Sequence, residues 1–79
     1  MKYHERIVSD PNILLGKPVI RGTRISVELI LRKLSEGITI EELLEGYPNL
    51  SRENIMDALC YSADVISMEE MIASSRSLQ

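Results

Sequence analysis

The chain has 79 residues, 44% hydrophobic and 27% charged, with a formal net charge of −3. A single domain of this size buries only about 60% of the surface its unfolded chain exposes, so it usually recruits a disulfide, a metal or another subunit. One cysteine, Cys60, excludes an internal disulfide, and with one histidine, His4, no Cys/His zinc cluster assembles, which leaves oligomerisation or docking on a partner.

The first 25 residues do not read as helix. Ile7-Val8 is stopped by the turn formers Ser9-Asp10-Pro11-Asn12. Ile13-Leu14-Leu15 precedes Gly16-Lys17-Pro18, and Val19-Ile20 and Ile25 flank Arg21-Gly22-Thr23-Arg24. Short apolar runs split by glycine predict small strands and tight turns, with Gly22 free to take positive φ. Pro18 lacks an N–H, so its strand begins there or lies at an edge.

From Ser26 the period changes. Val27, Ile30, Leu31 and Leu34 share one helical face, Ser26 is an N-cap and Gly37 a stop, which predicts a helix over 27–36. Thr39-Ile40-Glu41-Glu42 is a capping box that starts a two-turn helix over 40–45, closed by Gly46. Tyr47-Pro48-Asn49-Leu50 is a connector, because Pro48 cannot continue a helix. Ser51 then caps a third helix running to about Ile72, with Ile55, Ala58, Leu59, Ser62 and Ile66 toward the core. A frayed tail is expected over 73–79, after a single domain over 1–72. The fold class predicted is mainly α: a tri-helical helix-turn-helix core preceded by a short β-arm or hairpin.

The third helix is apolar on more than one side. Val65, Met68, Met71 and Ile72 exceed what one core-facing stripe needs, and they predict a helix-mediated homodimer, with folding back of the last two turns as the alternative.

Charge is unevenly distributed. Residues 1–33 carry seven basic side chains against three acids, net +4, whereas residues 34–79 carry two against nine, net −7. Such a split suggests two faces with different partners, although uneven solvated surface gives the same pattern. Lone Cys60, a polar start over residues 1–6 and the lack of any apolar run near the roughly 20 residues that span a bilayer predict a cytoplasmic protein with no membrane contact.

Catalysis finds little footing. His4, the only histidine, lies in the N-terminal stretch, and Cys60 falls at a helical spacing with core positions. Glu41, Glu42 and Glu45 lack the dense oxygen-ligand spacing of a calcium loop, and capping already explains the first two. A small metal-dependent hydrolytic subunit built on these three acids is the remote alternative; the expectation is no enzyme, no cofactor, no metal and no small-molecule substrate.

Binding reads better. In a helix-turn-helix the start of the third helix faces base edges, which puts Arg52, Glu53, Asn54 and Asp57 forward; Arg suits guanine and Asn suits adenine. Phosphate contacts would come from Lys17, Arg21, Arg24, Arg32 and Lys33, unless these pair with the acidic half. Glu53 and Asp57 count against DNA, and a protein-interaction module using those two acids is the competing reading.

Ser9-Asp10-Pro11-Asn12-Ile13, then Gly16-Lys17-Pro18-Val19-Ile20-Arg21-Gly22-Thr23-Arg24-Ile25-Ser26-Val27, with Glu36-Gly37, Ile40 to Leu44, Tyr47-Pro48-Asn49-Leu50 and Ala58 to Tyr61, resembles the bacterial domain of unknown function 433 family over about residues 7–64. The resemblance implies a homeodomain-like helix-turn-helix with a β-arm. It further implies an antitoxin that neutralises a PIN-like nuclease toxin and represses their shared operon by binding operator DNA. No catalytic residues come with it.

Overall fold

A β-hairpin arm leads into three helices in the computed structural model, which describes the backbone of residues 5–77 and the side chains of residues 5–72. His4, Lys2 and the last two residues of the expected frayed tail lie outside the described residues. Strand β1 (Ile7–Val8) pairs antiparallel with β2 (Val19–Ile20), Ile7 opposite Ile20 and Val8 opposite Val19. Pro18 immediately precedes β2, where its missing N–H costs no ladder bond. Its carbonyl accepts the Val27 N–H at 3.0 Å. Gly22 holds φ +79° inside a turn closed by the Thr23 N–H on the Ile20 carbonyl at 3.0 Å, the left-handed conformation expected of it.

The strand expected at Ile13-Leu14-Leu15 does not form. The Asp10 carboxylate accepts the Asn12 N–H at 2.9 Å and the Asp10 carbonyl accepts the Ile13 N–H at 2.8 Å, followed by a 3₁₀ turn at Leu14–Gly16. Local turn bonds satisfy the backbone here and so compete with sheet pairing. Leu14 (φ +49°) and Leu15 (φ +58°) are both left-handed, and Leu15 stands 96% exposed.

Helix α1 (Val27–Ser35) begins at Ser26, whose Oγ accepts the Leu29 N–H at 2.9 Å. It ends in a Schellman motif: Ile38 N–H bonds the Lys33 carbonyl at 3.1 Å and Gly37, at φ +92°, bonds Leu34 at 3.1 Å. Helix α2 (Ile40–Gly46) carries the expected capping box, Glu42 N–H on Thr39 Oγ1 at 3.1 Å and Thr39 N–H on Glu42 Oε1 at 2.9 Å. Thr39→Ala should therefore lower unfolding stability by about 1 kcal/mol, and Thr39→Ser much less, in urea denaturation.

Helix α3 (Arg52–Ser77) opens with a reciprocal cap, Asn54 N–H on Ser51 Oγ at 3.1 Å and Ser51 N–H on Asn54 Oδ1 at 3.0 Å. It runs five residues past the expected end at Ile72 because Ala73-Ser74-Ser75 contains no glycine or proline to stop it.

The core joins every element: Ile7 and Ile20 from the arm, Val27 and Ile30 from α1, Leu43 from α2, Leu50 from the connector, Ile55 and Ala58 from α3. Leu59 (38% exposed) and Ile66 (54%) do not join it as expected. Leu59, next to the fully buried Ala58, is turned about 100° from it and off the core-facing side. For Ile66 the reason is length. At 1.5 Å per residue α1 spans about 14 Å and α3 about 39 Å, so α1 covers only the first turns of α3. Beyond that cover the helix continues straight through Ile72 with its apolar side chains exposed, and these turns do not fold back.

Candidate functional site

Asp57 is fully buried, which removes it from the exposed start of α3, where the helix-turn-helix reading groups it with Arg52, Glu53 and Asn54. It shares its turn with Ile55 and Ala58, both fully buried, and the arm closes over it. Arg6, one residue before β1, reaches across: its Nε donates to Asp57 Oδ2 at 2.5 Å and its Nη2 to Oδ1 at 2.9 Å. The hydrogen bond to that carboxylate raises the Arg6 pKa above its already high ordinary value. Glu53 stands 3.9 Å from the same guanidinium. Asp57 is thus a fastener between arm and third helix, and cannot contact DNA or a partner in this fold. Nothing in the sequence signalled the pairing, since the two residues lie 51 positions apart.

The cations proposed for DNA contact fall into three groups. Lys17 Nζ and Arg32 Nε both bind Glu28, at 2.8 and 3.1 Å, tying the arm to α1. Those two bonds, Lys17's first, hold the Glu28 carboxyl below the ordinary carboxylate range. Arg52 Nη2 binds Glu41 Oε2 at 2.5 Å and tethers the start of α3 to α2. Glu41 is held low first by its own backbone N–H and then by Arg52. The remaining group carries no acid: Arg21 Nε donates to the Glu5 carbonyl, while Arg24 and Lys33 form no ion pair among the described residues.

Arg24 is the best placed of these. It lines a shallow hollow of about 380 Å³ together with Val8, Ile13, Thr23 and Asn49, so the hairpin cation lies beside the connector that leads into α3. Asn54 is half-committed, because its Oδ1 accepts the Ser51 N–H, while its amide N–H₂ stays available to a base edge. Arg52 has its Nη2 on Glu41, so a paired contact through that nitrogen competes with the ion pair.

Of the three acids weighed for metal work, Glu41 is engaged by Arg52 and Glu42 by the capping box. Among the described residues no group of three or more His, Cys, Asp or Glu side chains gathers in a metal-holding arrangement. Cys60 is half-buried rather than part of the sealed core. No helix of the described residues is long and apolar enough to cross a membrane.

The proposed dimer residues are all exposed: Met68, Met71 and Ile72 lie on the part of α3 beyond the reach of α1, and Val65 lies at its margin. Sequence periodicity did not show a groove at the foot of this strip, between α1 and α3, bounded by Pro18, Val27, Leu31, Tyr61, Val65 and Ile66. It requires the arm's Pro18 to pack beside two helices, which no local pattern encodes.

These features define a small three-helix domain with a two-stranded β-arm latched to its longest helix. The chain belongs to the family described as Protein of unknown function (DUF433), whose model matches residues 7–62. It is similar to a Sinorhizobium fredii protein called uncharacterized protein y4eO, 40% identical over 58 residues; the match takes in 73% of this chain but only 26% of that protein. The chain thus spans about a quarter of the length of the curated relative it matches. Its fold is similar to the crystal structure of a DUF433 member from Anabaena variabilis, with a TM-score of 0.73 and 30% identity over 89% of this chain and 70% of that one.

Proposed function

We propose that this chain works by binding and is the antitoxin of a type II toxin–antitoxin pair, contacting operator DNA with its arm and third helix and neutralising a PIN-like nuclease. The supporting observation is the placement of Arg24 on the hairpin beside the connector into α3, with Arg21 on the same turn. In a helix-turn-helix reading, α2 and α3 form the motif, and the arm's cations meet phosphates beside the helix that enters the groove. Glu36, Glu45 and Glu53 are exposed on the acidic half and suit the basic substrate-binding surface of a nuclease.

Charge reversal tests the DNA half of the reading. Arg21→Glu with Arg24→Glu should weaken affinity for the chain's own promoter by at least roughly 10-fold and flatten its salt dependence by about two units of log–log slope. Unchanged affinity and slope reject these contacts. A second reading, a protein-interaction module without DNA contact, is favoured by the pairing of Lys17, Arg32 and Arg52 with acids, which leaves few cations unengaged. Under it Glu53 alone of its two acids remains available, since Asp57 is buried.

A further inference from the structure

Ala58, Tyr61, Val65, Met68 and Ile72 recur at alternating steps of three and four, the heptad spacing of a helix seam. The first two positions are covered: Ala58 is fully buried and Tyr61 is half-buried. Past them the same seam continues uncovered, with Val65 39%, Met68 59% and Ile72 48% exposed. At its foot lies the α1–α3 groove of about 260 Å³, which shares Val65 with the strip and has Glu28 as its charged wall. An apolar strip and an apolar groove thus adjoin on one molecule. A continuous helix cannot bend back to place one in the other.

Charge indicates what fills them. From Glu53 to Ser75 every charged side chain is an acid, and Glu69 flanks the seam one residue after Met68. Glu28, the groove's charged wall, is itself bound by Lys17 and Arg32, so the cluster at that wall carries one net positive charge. An acid-flanked strip is therefore matched by a groove whose charged wall is net positive, and both occur on every copy.

We infer that a second copy of this chain occupies the groove. The exposed turns of α3 from each protomer lie across the partner's α1–α3 groove, Met68 entering between Leu31 and Val65 while Glu69 faces Lys17. A two-fold arrangement of this kind satisfies both strips and both grooves at once. It deepens the dimer expected from the α3 side chains by naming the surface that receives them, and it is independent of the operator reading: a dimer with no promoter affinity removes only the latter.

Sedimentation equilibrium tests it. The wild type should give twice the 9.0 kDa chain mass at concentrations on the order of 10 µM. Met68→Asp, on an exposed face, should keep the helical circular dichroism signal and weaken self-association at least about 100-fold. Glu69→Lys alone and Lys17→Glu alone should each weaken it roughly 10-fold, and the two combined in one chain should restore it. A protein that stays monomeric at hundreds of micromolar, on the order of ordinary weak association, overturns the inference. So does a dimer indifferent to Met68→Asp, or one in which the combined reversal restores nothing.

Discussion

Arg6→Ala should lower the thermal midpoint of unfolding by on the order of 15 °C, a larger loss than any other single surface-reaching side chain in this protein should produce. The Asp57 carboxylate is fully buried, and Arg6 supplies both of the hydrogen bonds shown to its oxygens. Removing the guanidinium leaves a charge with neither water nor a partner. The opposite change is milder for a physical reason: in Asp57→Ala the Arg6 side chain, 36% exposed, turns into water. Arg6→Ala combined with Asp57→Ala should therefore be more stable than Arg6→Ala alone. Differential scanning calorimetry on the two single variants and the double variant decides it. A double variant less stable than Arg6→Ala would mean that the pair contributes attraction well beyond the desolvation it offsets.

Ile55→Ala should cost about 3 to 4 kcal/mol, read from urea denaturation. Ile55 has no exposed surface, and it packs where the arm, α1, α2 and the connector converge. A cavity there cannot close, because the elements around it are fixed by their own caps and by the Arg6–Asp57 fastener. Leu15→Ala removes the same kind of side chain from a position that is 96% exposed, and it should stay within about 0.5 kcal/mol of the wild type. For a domain of 79 residues the first loss is a large share of the whole stability. A small effect at Ile55 would mean that the α3 start is held mainly by its caps and ion pairs.

What the sequence revealed followed the range of the interactions involved. Ser26, Thr39 and Ser51 announced three helix starts because a cap needs only residues within three positions of itself. Gly22 and Gly37 marked turns for the same local reason. Ile13-Leu14-Leu15 reads as a strand but forms a turn, because strand formation depends on a partner and Asp10 offers the backbone turn bonds instead. The burial of Asp57 is not legible locally, because a carboxylate at the start of a helix reads as a solvated group, and only Arg6 on the arm, 51 residues earlier, explains it. The exposed α3 strip was visible as excess apolar residues. Where the cover of α1 ends is not visible, nor is the face that Leu59 takes, so periodicity alone places both Leu59 and Ile66 in the core. The cations carry no ranking in the sequence; the structure separates Arg24 and Lys33, which form no ion pair among the described residues, from Lys17, Arg32 and Arg52, which are paired.

The most direct test of a DNA-binding role is a titration of the purified protein against a labelled fragment of its own upstream DNA, at two salt concentrations and with excess unrelated DNA present. The proposed role predicts saturable binding that survives the competitor and weakens steeply with salt, as several phosphate contacts require. Absence of binding at low salt, or binding that unrelated DNA removes completely, would contradict it.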